Sequence, residues 1–250
     1  MLSYVPQVRI VRSGVIESGA RNLLFVSCTR GRAADTDLFR SLQKLDANDS
    51  WFFEDNESSL PVCYNSVLDD CAGNDTIIVF AHDDVTIGDI FLREKLAVAF
   101  EKQGYAITGV AGSSQFNTNP DGPLTKWCQP PDSAWSGAVE HDLPGGSKYM
   151  TSFGPTPRRC VVLDGLFLAV DNKLIGTLRF DEQFAFDFYD VDFCLSAHCA
   201  GLVLGTIDIY VNHWSAGIAS ASYQEAQQKF RAKWGSQQYE VGTPIAAFPP

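Results

Sequence analysis

Residues 76–85 read TIIVFAHDDV. The first six form a continuous apolar run of strand length, which is typical of a strand buried on both faces of a parallel sheet. The triplet His82-Asp83-Asp84 follows at once, and residues 87–104 have the length and composition of a helix that ends at a glycine. In such sheets, ligands bind beyond the carboxyl ends of the strands. This stretch therefore predicts an α/β fold with a ligand site at the triplet.

The same order of strand and helix occurs on both sides of this stretch. LLFVSC at 23–28 precedes an amphipathic segment at 37–45, and WFF at 51–53 precedes a segment of helical spacing at 60–71. AITGVAG at 106–112 adds a fourth strand. Strands separated by helices of this length imply right-handed crossovers and parallel neighbours. We therefore predict a mainly parallel central sheet flanked by helices.

The second half of the chain is less regular. Residues 113–157 are rich in Gly, Pro, Ser and Asn, and a segment of this length is typical of a lid or a binding loop. Regular patterns then return as a strand at 160–170, a short helix within 186–201, strand-like runs at 202–209 and 210–215, and a polar helix at 223–234. This half predicts a smaller subregion beside the sheet.

Composition excludes several classes of protein. The chain has 250 residues, a formal net charge of −11 and scattered basic residues, so it lacks the basic footprint of a nucleic-acid binder. No apolar run approaches the roughly 20 residues that cross a bilayer, and the first fifteen residues lack a signal-peptide apolar block, so we expect a cytoplasmic protein. Seven cysteines without a CxxC pair indicate neither a zinc knuckle nor a closed disulfide framework.

The triplet carries the first candidate site. His82 and Asp84 occupy alternate positions, and their nitrogen and oxygen donors suit Mn²⁺ or Mg²⁺. His213, in NHWSAG, would add an imidazole, although a lone histidine is usually structural. The alternative reading is a solvated turn in which Asp83 or Asp84 caps the next helix.

Three aspartates in FDFYDVDF carry the second candidate site. Asp187, Asp190 and Asp192 lie within six positions among aromatic residues, and an unpaired buried carboxylate is costly. One of them could act as a general base, with its basicity raised by neighbouring carboxylates and low polarity. Alternatively, they lie at a helix start, where the helix dipole favours negative charge.

Together these segments resemble the nucleotide-sugar glycosyltransferases of the GT-A fold, in the family 2 group and its bacterial capsule- and lipopolysaccharide-type relatives. The resemblance covers roughly residues 23–217 and rests on the order of several short segments. They are LLFVSCTR (23–30), FFEDNESS (52–59), Tyr64-Asn65, IIVFAHDDV (77–85), LDGLFLAV (163–170), FYDVDFCLSAHCAG (188–201) and HWS (213–215). The resemblance implies a single domain over 1–250, with a nucleotide-binding half at about 20–112, an acceptor and catalytic half at about 113–220, and a C-terminal helix and tail at 221–250.

The resemblance also implies roles for individual residues. The predicted metal ligands are Asp84, His82 and His213, with His82 a departure from the aspartate-x-aspartate motif. The predicted nucleotide-binding residues are Thr29, Arg30, Asp55, Asn56, Asn65 and Asp83. The predicted acceptor or sugar residues are Asp164, Gly165, Asp192 and Trp135. Asp190 corresponds to the aspartate of the Glu-Asp motif, whose glutamate is replaced by Tyr189, and is the expected catalytic base.

The implied reaction is metal-dependent transfer of a sugar from a UDP- or GDP-sugar to a hydroxyl of a carbohydrate or glycolipid acceptor, with inversion at the anomeric carbon. Mn²⁺ or Mg²⁺ would be the cofactor, and the setting would be bacterial surface polysaccharide or glycoconjugate synthesis. Peripheral association with the inner face of the membrane is compatible with such an acceptor.

Two other functions remain open at this point. A sugar nucleotidyltransferase also uses a sheet and a metal, but it needs a Gly-rich basic loop after the first strand, and TRGRAADT at 29–36 has a single glycine. A catalytically inactive nucleotide-sugar or sugar-binding module is the other alternative, because the Glu of the Glu-Asp pair is missing.

Overall fold

The computed structural model describes residues 8–12, 21–45, 49–118, 127, 131–143, 145–214 and 222–242, with the backbone alone for 8–12. The predicted tail beyond 242 lies outside these residues, as does part of the predicted lid. Among the described residues, no helix has both the length and the apolar character needed to span a bilayer.

The described elements alternate between strands and helices in the first half and are mostly strands in the middle. The helices are α1 (Asp37–Leu42), α2 (Leu60–Asp70), α3 (Leu92–Ala97), which continues as a π-helical turn (Val98–Lys102), α4 (Tyr189–Cys199) and α5 (Tyr223–Trp234). The strands are β1 (Val8–Arg12), β2 (Asn22–Cys28), β3 (Asp49–Phe53), β4 (Thr76–Ala81), β5 (Val85–Ile87), β6 (Ile107–Gly109), β7 (Ala111–Ser113), β8 (Gln115–Asn117), β9 (Trp135–Asp142), β10 (Lys148–Gly154), β11 (Arg158–Cys160), β12 (Val162–Leu163), β13 (Phe167–Asp171), β14 (Leu204–Thr206), β15 (Val211–His213) and β16 (Gln238–Glu240).

An eight-stranded sheet forms the core in the order β1-β3-β2-β4-β13-β6-β14-β11. β3, β2 and β4 are parallel neighbours, as are β6 and β14, whereas β1, β13 and β11 run antiparallel to their partners. The sheet is therefore mixed, and the prediction of a mainly parallel sheet is not confirmed. Every residue of β4 is buried, as its apolar run predicted. Every residue of β13 is also buried, but the single strand predicted at 160–170 is divided among β11, β12 and β13, which belong to two sheets.

The reversed direction of β13 has a topological cause. The chain leaves β12, a strand of the second sheet, at the edge where β4 ends, and it enters the first sheet between β4 and β6. Phe167 at the start of β13 therefore pairs with Ala81 at the end of β4. The backbone N–H of His82 then donates to the carbonyl of Leu166 at 3.1 Å. This arrangement brings the segment just before β13 against the His82-Asp83-Asp84 triplet.

A second sheet lies beside this edge in the order β12-β7-β9-β15-β5, with β10 paired to β9. The predicted irregular loop at 113–157 is wrong over much of its length, since β9 and β10 form a hairpin there. Its glycines hid the strand pattern. Gly137 has a φ of +107°, and a side chain at this position would collide with the backbone carbonyl of Val110. Glycine therefore serves close strand packing here and does not mark a loop.

Candidate metal centre and cleft

His82, Asp84 and His213 converge into one cluster. One ligand atom from each lies within 4.8 Å of the other two, and Nε2 of His213 is 3.3 Å from Oδ1 of Asp84. The pairing of β15 with β5 sets this distance, because His213 lies opposite Val85, the residue after Asp84. The backbone N–H of Trp214 also donates to the carbonyl of Asp84 at 3.3 Å.

The chemistry of this cluster fits a divalent cation. Nε2 of His213 is buried and has no hydrogen-bond partner among the described residues, although a carboxylate lies beside it. A buried polar atom without a partner is costly, and a bound cation would satisfy it. Two imidazoles and one carboxylate form a donor set that suits Mn²⁺ and similar ions.

The two aspartates of the triplet have different environments. Burial raises the pKa of Asp84, but His213 and then His82 outweigh burial and hold the pKa below its usual value. Burial also raises the pKa of Asp83. A hydrogen bond with Thr29 offsets only part of this rise, and the nearby charge of Asp84 increases it further. Asp84 is therefore the stronger candidate for a charged metal ligand.

A third histidine adjoins the cluster, and the sequence analysis missed it. His141 is the cross-strand partner of His213, with ring centroids 6.0 Å apart, and it stacks on Tyr149 at 5.0 Å. Three of the four histidines of the chain therefore lie together. The motif Glu140-His141-Asp142 was the available signal, but it fell in the segment predicted to be irregular.

An open cleft of about 250 Å³ lies next to the cluster, beyond the end of β2. It is lined by Thr29, Gly31, Arg32, Asp35, Thr36, Asp37, Asp83 and Asp84. Thr29 and Asp83 were predicted to contact a nucleotide. Asp84 belongs to both the cleft and the histidine cluster, so the two features are continuous. Arg30 is exposed and is not among the lining residues, whereas Arg32 lines the cleft and pairs with Asp35 at 3.0 Å.

The other three predicted nucleotide-binding residues are not among the lining residues of the cleft. The backbone N–H groups of Asp55 and Asn56 donate to the carbonyls of Gly31 and Thr29, which ties the loop after β3 to the loop after β2. The Asn56 side chain closes a local turn with Ser58. Asn65 uses both ends of its amide on the backbone of Phe180, at 2.9 Å each. Neither Asn56 nor Asn65 lines the cleft.

Asp190 lies close to the metal cluster through a short chain of contacts. Its carboxylate accepts the backbone N–H groups of Gly165 and Val191, both at 2.8 Å. The hydroxyl of Tyr189 donates to the carbonyl of Gly165 at 3.1 Å and lies 3.1 Å from Nε2 of His82. A Cβ at position 165 would collide with this hydroxyl and would lie 2.9 Å from Cβ of Asp190. Gly165 therefore permits the close approach of α4 to the triplet.

Three predicted acceptor residues are already engaged by other residues of the chain. Asp192 is 1% exposed and faces α5, where it accepts from Nε1 of Trp234 at 2.8 Å and pairs with Nζ of Lys233 at 2.7 Å. Asp164 is buried and accepts the backbone N–H of Leu166. Trp135 packs edge-on against Trp127 at 5.5 Å. By contrast, two exposed aromatic residues that were not predicted flank the cluster. Phe186 stacks on His82, and Trp214, 65% exposed, follows His213 directly.

The fold resembles that of a known glycosyltransferase. A structure of GalNAc-T7 with UDP, GalNAc and Mn²⁺ matches with a TM-score of 0.53 and 11% identity. The match covers 87% of this chain and 49% of that chain, so this chain spans about half the length of that protein. A structure of A197 from STIV matches over 92% of this chain and 98% of that one, with 12% identity, but its TM-score of 0.47 is too low to support a statement about the fold.

Comparisons at the level of sequence found no relatives. No protein-family model matches the chain, and no curated protein matches it. The likeness to GalNAc-T7, a GT-A glycosyltransferase, therefore supports the fold alone. The predicted GT-A-like fold is supported at this level, while the family 2 grouping and the bacterial capsule or lipopolysaccharide type stay predictions.

Proposed function

We propose that the chain is a metal-dependent glycosyltransferase that moves a sugar from a nucleotide-diphosphate sugar to an acceptor hydroxyl. One observation carries this proposal: Asp84 lines the cleft and also belongs to the cluster with His82 and His213. A cation held by these three side chains would lie where the diphosphate of a nucleotide in the cleft ends. The GT-A-like fold is compatible with this reading, although one fold hosts many activities.

In this proposal the protein side chains bind the donor and orient the attack. Thr29 and Asp83 contact the nucleoside part of the donor, and Arg32, which lines the same cleft, supplies a local positive charge for a phosphate. Mn²⁺ or Mg²⁺, when bound, acts as a Lewis acid that stabilises the negative charge of the departing diphosphate. We propose a UDP-sugar or a GDP-sugar as the donor, and either Mn²⁺ or Mg²⁺ as the cation.

Asp190 is the proposed general base. Two backbone N–H groups hold its carboxylate in one orientation, next to the segment that carries Gly165. From there it would accept the proton of the acceptor hydroxyl as that oxygen attacks the anomeric carbon from the side opposite the nucleotide, with inversion. The exposed rings of Phe186 and Trp214 provide apolar surfaces for the acceptor beside the metal cluster.

Further residues are proposed to contact the nucleotide or the acceptor. Arg30, Asp55, Asn56 and Asn65 are predicted nucleotide contacts, and Asp164, Gly165, Asp192 and Trp135 are predicted acceptor contacts. The contacts described above give Gly165 a role in positioning Tyr189 and Asp190, and they give Asp192 a role in holding α5. The division near residue 113 and a role in surface polysaccharide synthesis also stay proposals.

Replacement of one histidine tests the proposed activity. The chain is incubated with UDP- and GDP-sugars, with Mn²⁺ or with EDTA, and released nucleotide is measured. We expect release that depends on Mn²⁺. We also expect His213→Ala to reduce this release by at least about 100-fold, because the cation would lose one of its three proposed protein ligands. His198→Ala is the matched control, since His198 lies in the last turn of α4 and outside the cluster.

Three outcomes would contradict the proposed metal-dependent sugar transfer. Binding of nucleotide sugars without any release would support the binding module. Pyrophosphate release from a nucleoside triphosphate and a sugar phosphate would support the nucleotidyltransferase. Equal loss of activity in His198→Ala and His213→Ala would remove the metal cluster from the explanation.

A further inference from the structure

One buried tyrosine joins the metal cluster to the helix that carries Asp190. Tyr189 is the first residue of α4, it is 3% exposed, and its hydroxyl has two neighbours at 3.1 Å. One neighbour is the carbonyl oxygen of Gly165, and the other is Nε2 of His82. This hydroxyl therefore contacts both a predicted metal ligand and the segment that binds the Asp190 carboxylate.

The donors and acceptors of this contact determine where the proton of His82 lies. A carbonyl oxygen can only accept, so the single hydrogen of the Tyr189 hydroxyl is directed to Gly165. The hydroxyl oxygen then has only lone pairs to offer to His82. With the hydroxyl hydrogen on Gly165, the 3.1 Å contact is satisfied by a hydrogen on Nε2 of His82, and in the neutral ring Nδ1 is then unprotonated.

We propose that Tyr189 is the positioning residue that holds His82 with Nε2 protonated, so that Nδ1 is the atom that binds the cation. This inference rests on the proposed function, because it concerns the cation of that site. Histidines that bind metals commonly donate their other ring N–H to a fixed acceptor, which sets the tautomer and the orientation of the ring. Here the acceptor is a buried phenol, which in turn is fixed by the main chain.

The packing around Tyr189 keeps its hydroxyl in place. Its ring contacts the rings of Tyr64 and Phe180, with centroids 6.0 Å away in each case. The missing side chain at Gly165 provides the space that the hydroxyl occupies. The same glycine donates its backbone N–H to Asp190, so one residue fixes both the phenol and the carboxylate. The orientation of His82 and that of the proposed base therefore depend on the same short segment.

The test uses the full chain and two readouts other than activity. Histidine-selective ¹⁵N labelling and long-range ¹H–¹⁵N correlation spectra report the tautomer of His82, with His82→Gln to assign its signals. The Mn²⁺ affinity is measured from the electron paramagnetic resonance signal of the free ion. Tyr189→Phe keeps the ring and removes the hydroxyl. Tyr64→Phe is the matched control. It removes a buried hydroxyl from the ring next to Tyr189, and among the described residues this hydroxyl makes no hydrogen bond to His82.

We expect wild-type His82 to carry its proton on Nε2 before any metal is added, and Tyr189→Phe to lose this single tautomer. We also expect the Mn²⁺ dissociation constant of Tyr189→Phe to rise about 10- to 100-fold, while Tyr64→Phe stays within about 3-fold of wild type. Circular dichroism and the melting temperature show whether each variant is folded.

Several results would overturn the inference. A proton on Nδ1 of His82 in the wild-type chain would do so without any variant, even if Tyr189→Phe failed to fold. Unchanged Mn²⁺ affinity in folded Tyr189→Phe would also do so, while leaving the proposed function intact. A fixed Nε2 tautomer in a wild-type chain that binds no Mn²⁺ would instead refute the metal site, and with it both the proposed function and the coordination through Nδ1.

Discussion

Two aspartates of the same first turn of α4 have opposite surroundings. Asp190 is partly exposed, lies beside the metal cluster and accepts two backbone N–H groups. Asp192 is 1% exposed and binds Lys233 and Trp234 of α5. Residues two positions apart in a helix are separated by about 200° around its axis, so Asp190 and Asp192 face different elements. Residue type and spacing in the sequence therefore identified the cluster but could not separate a candidate base from a buried ion pair.

The largest expected effect concerns the partly exposed member of the pair. Asp190→Asn should reduce sugar transfer by roughly 1,000-fold, because the amide cannot accept the acceptor proton. Its stability should fall by only about 1 kcal/mol, the cost of one lost hydrogen bond to a backbone N–H. Transfer assays and urea titrations measure the two effects separately. A transfer rate close to wild type would mean that Asp190 is not the base.

The buried member should show the reverse pattern. Asp192→Ala removes the acceptor of the Trp234 indole N–H and one partner of Lys233, and we expect the free energy of unfolding to fall by about 3 kcal/mol. Lys233 keeps its second partner, Asp181, at 2.7 Å, which limits the loss. Transfer by the folded protein at low temperature should change little. Loss of transfer in a folded, stable Asp192→Ala variant would contradict the structural role and restore the predicted acceptor role.

The smallest expected effect is a pH dependence of the same pair. Burial raises the pKa of Asp192 above its ordinary value of 3.8, although Lys233 and Trp234 act in the opposite direction. The folded state therefore holds this proton to higher pH than the unfolded state does. Its contribution to stability is fully present below the unfolded pKa and is lost as pH rises through the folded pKa. Asp192→Asn lacks this proton equilibrium.

The measurement is the difference in free energy of unfolding between wild type and Asp192→Asn, from urea titrations at several pH values between about 3.5 and 7. The wild-type chain should lose stability relative to the variant as pH rises across this window. The comparison cancels the contributions of the other acidic groups. A constant difference would show that the pair with Lys233 balances burial, and a difference of the opposite sign would show that the pair outweighs burial.

Short-range sequence patterns predicted some of the local structure around the candidate site. β4 carries a strong apolar pattern and the start of α4 an acidic one, and the predicted metal ligands Asp84 and His213 lie together. β4 and the acidic start of α4 follow from short-range patterns, whereas the expectation that His213 joins Asp84 came from the resemblance to GT-A glycosyltransferases. Prediction therefore works best for β4 and the triplet that follows it, because a single strand sets the position of these residues.

The features that the sequence did not predict depend on distant partners. The direction of β13 follows from its entry from the second sheet, and the hairpin of β9 and β10 was hidden by glycines. Lys233, the ion-pair partner of Asp192, lies 41 positions along the chain, so no local pattern could indicate it. The contact of Tyr189 with His82 joins residues 107 positions apart. Each of these needs the tertiary fold before it can be seen.

The corner between β12 and β13 has a consequence for how this fold can vary. Residues 164–166 connect one sheet to the other, and they also contact His82, Tyr189 and Asp190. One added or deleted residue here would shift the pairing of β13 with both β4 and β6 and move each of its buried side chains to the opposite face of the sheet. Related sequences should therefore keep the length of this corner constant and place their insertions in surface connections, such as the one between β9 and β10.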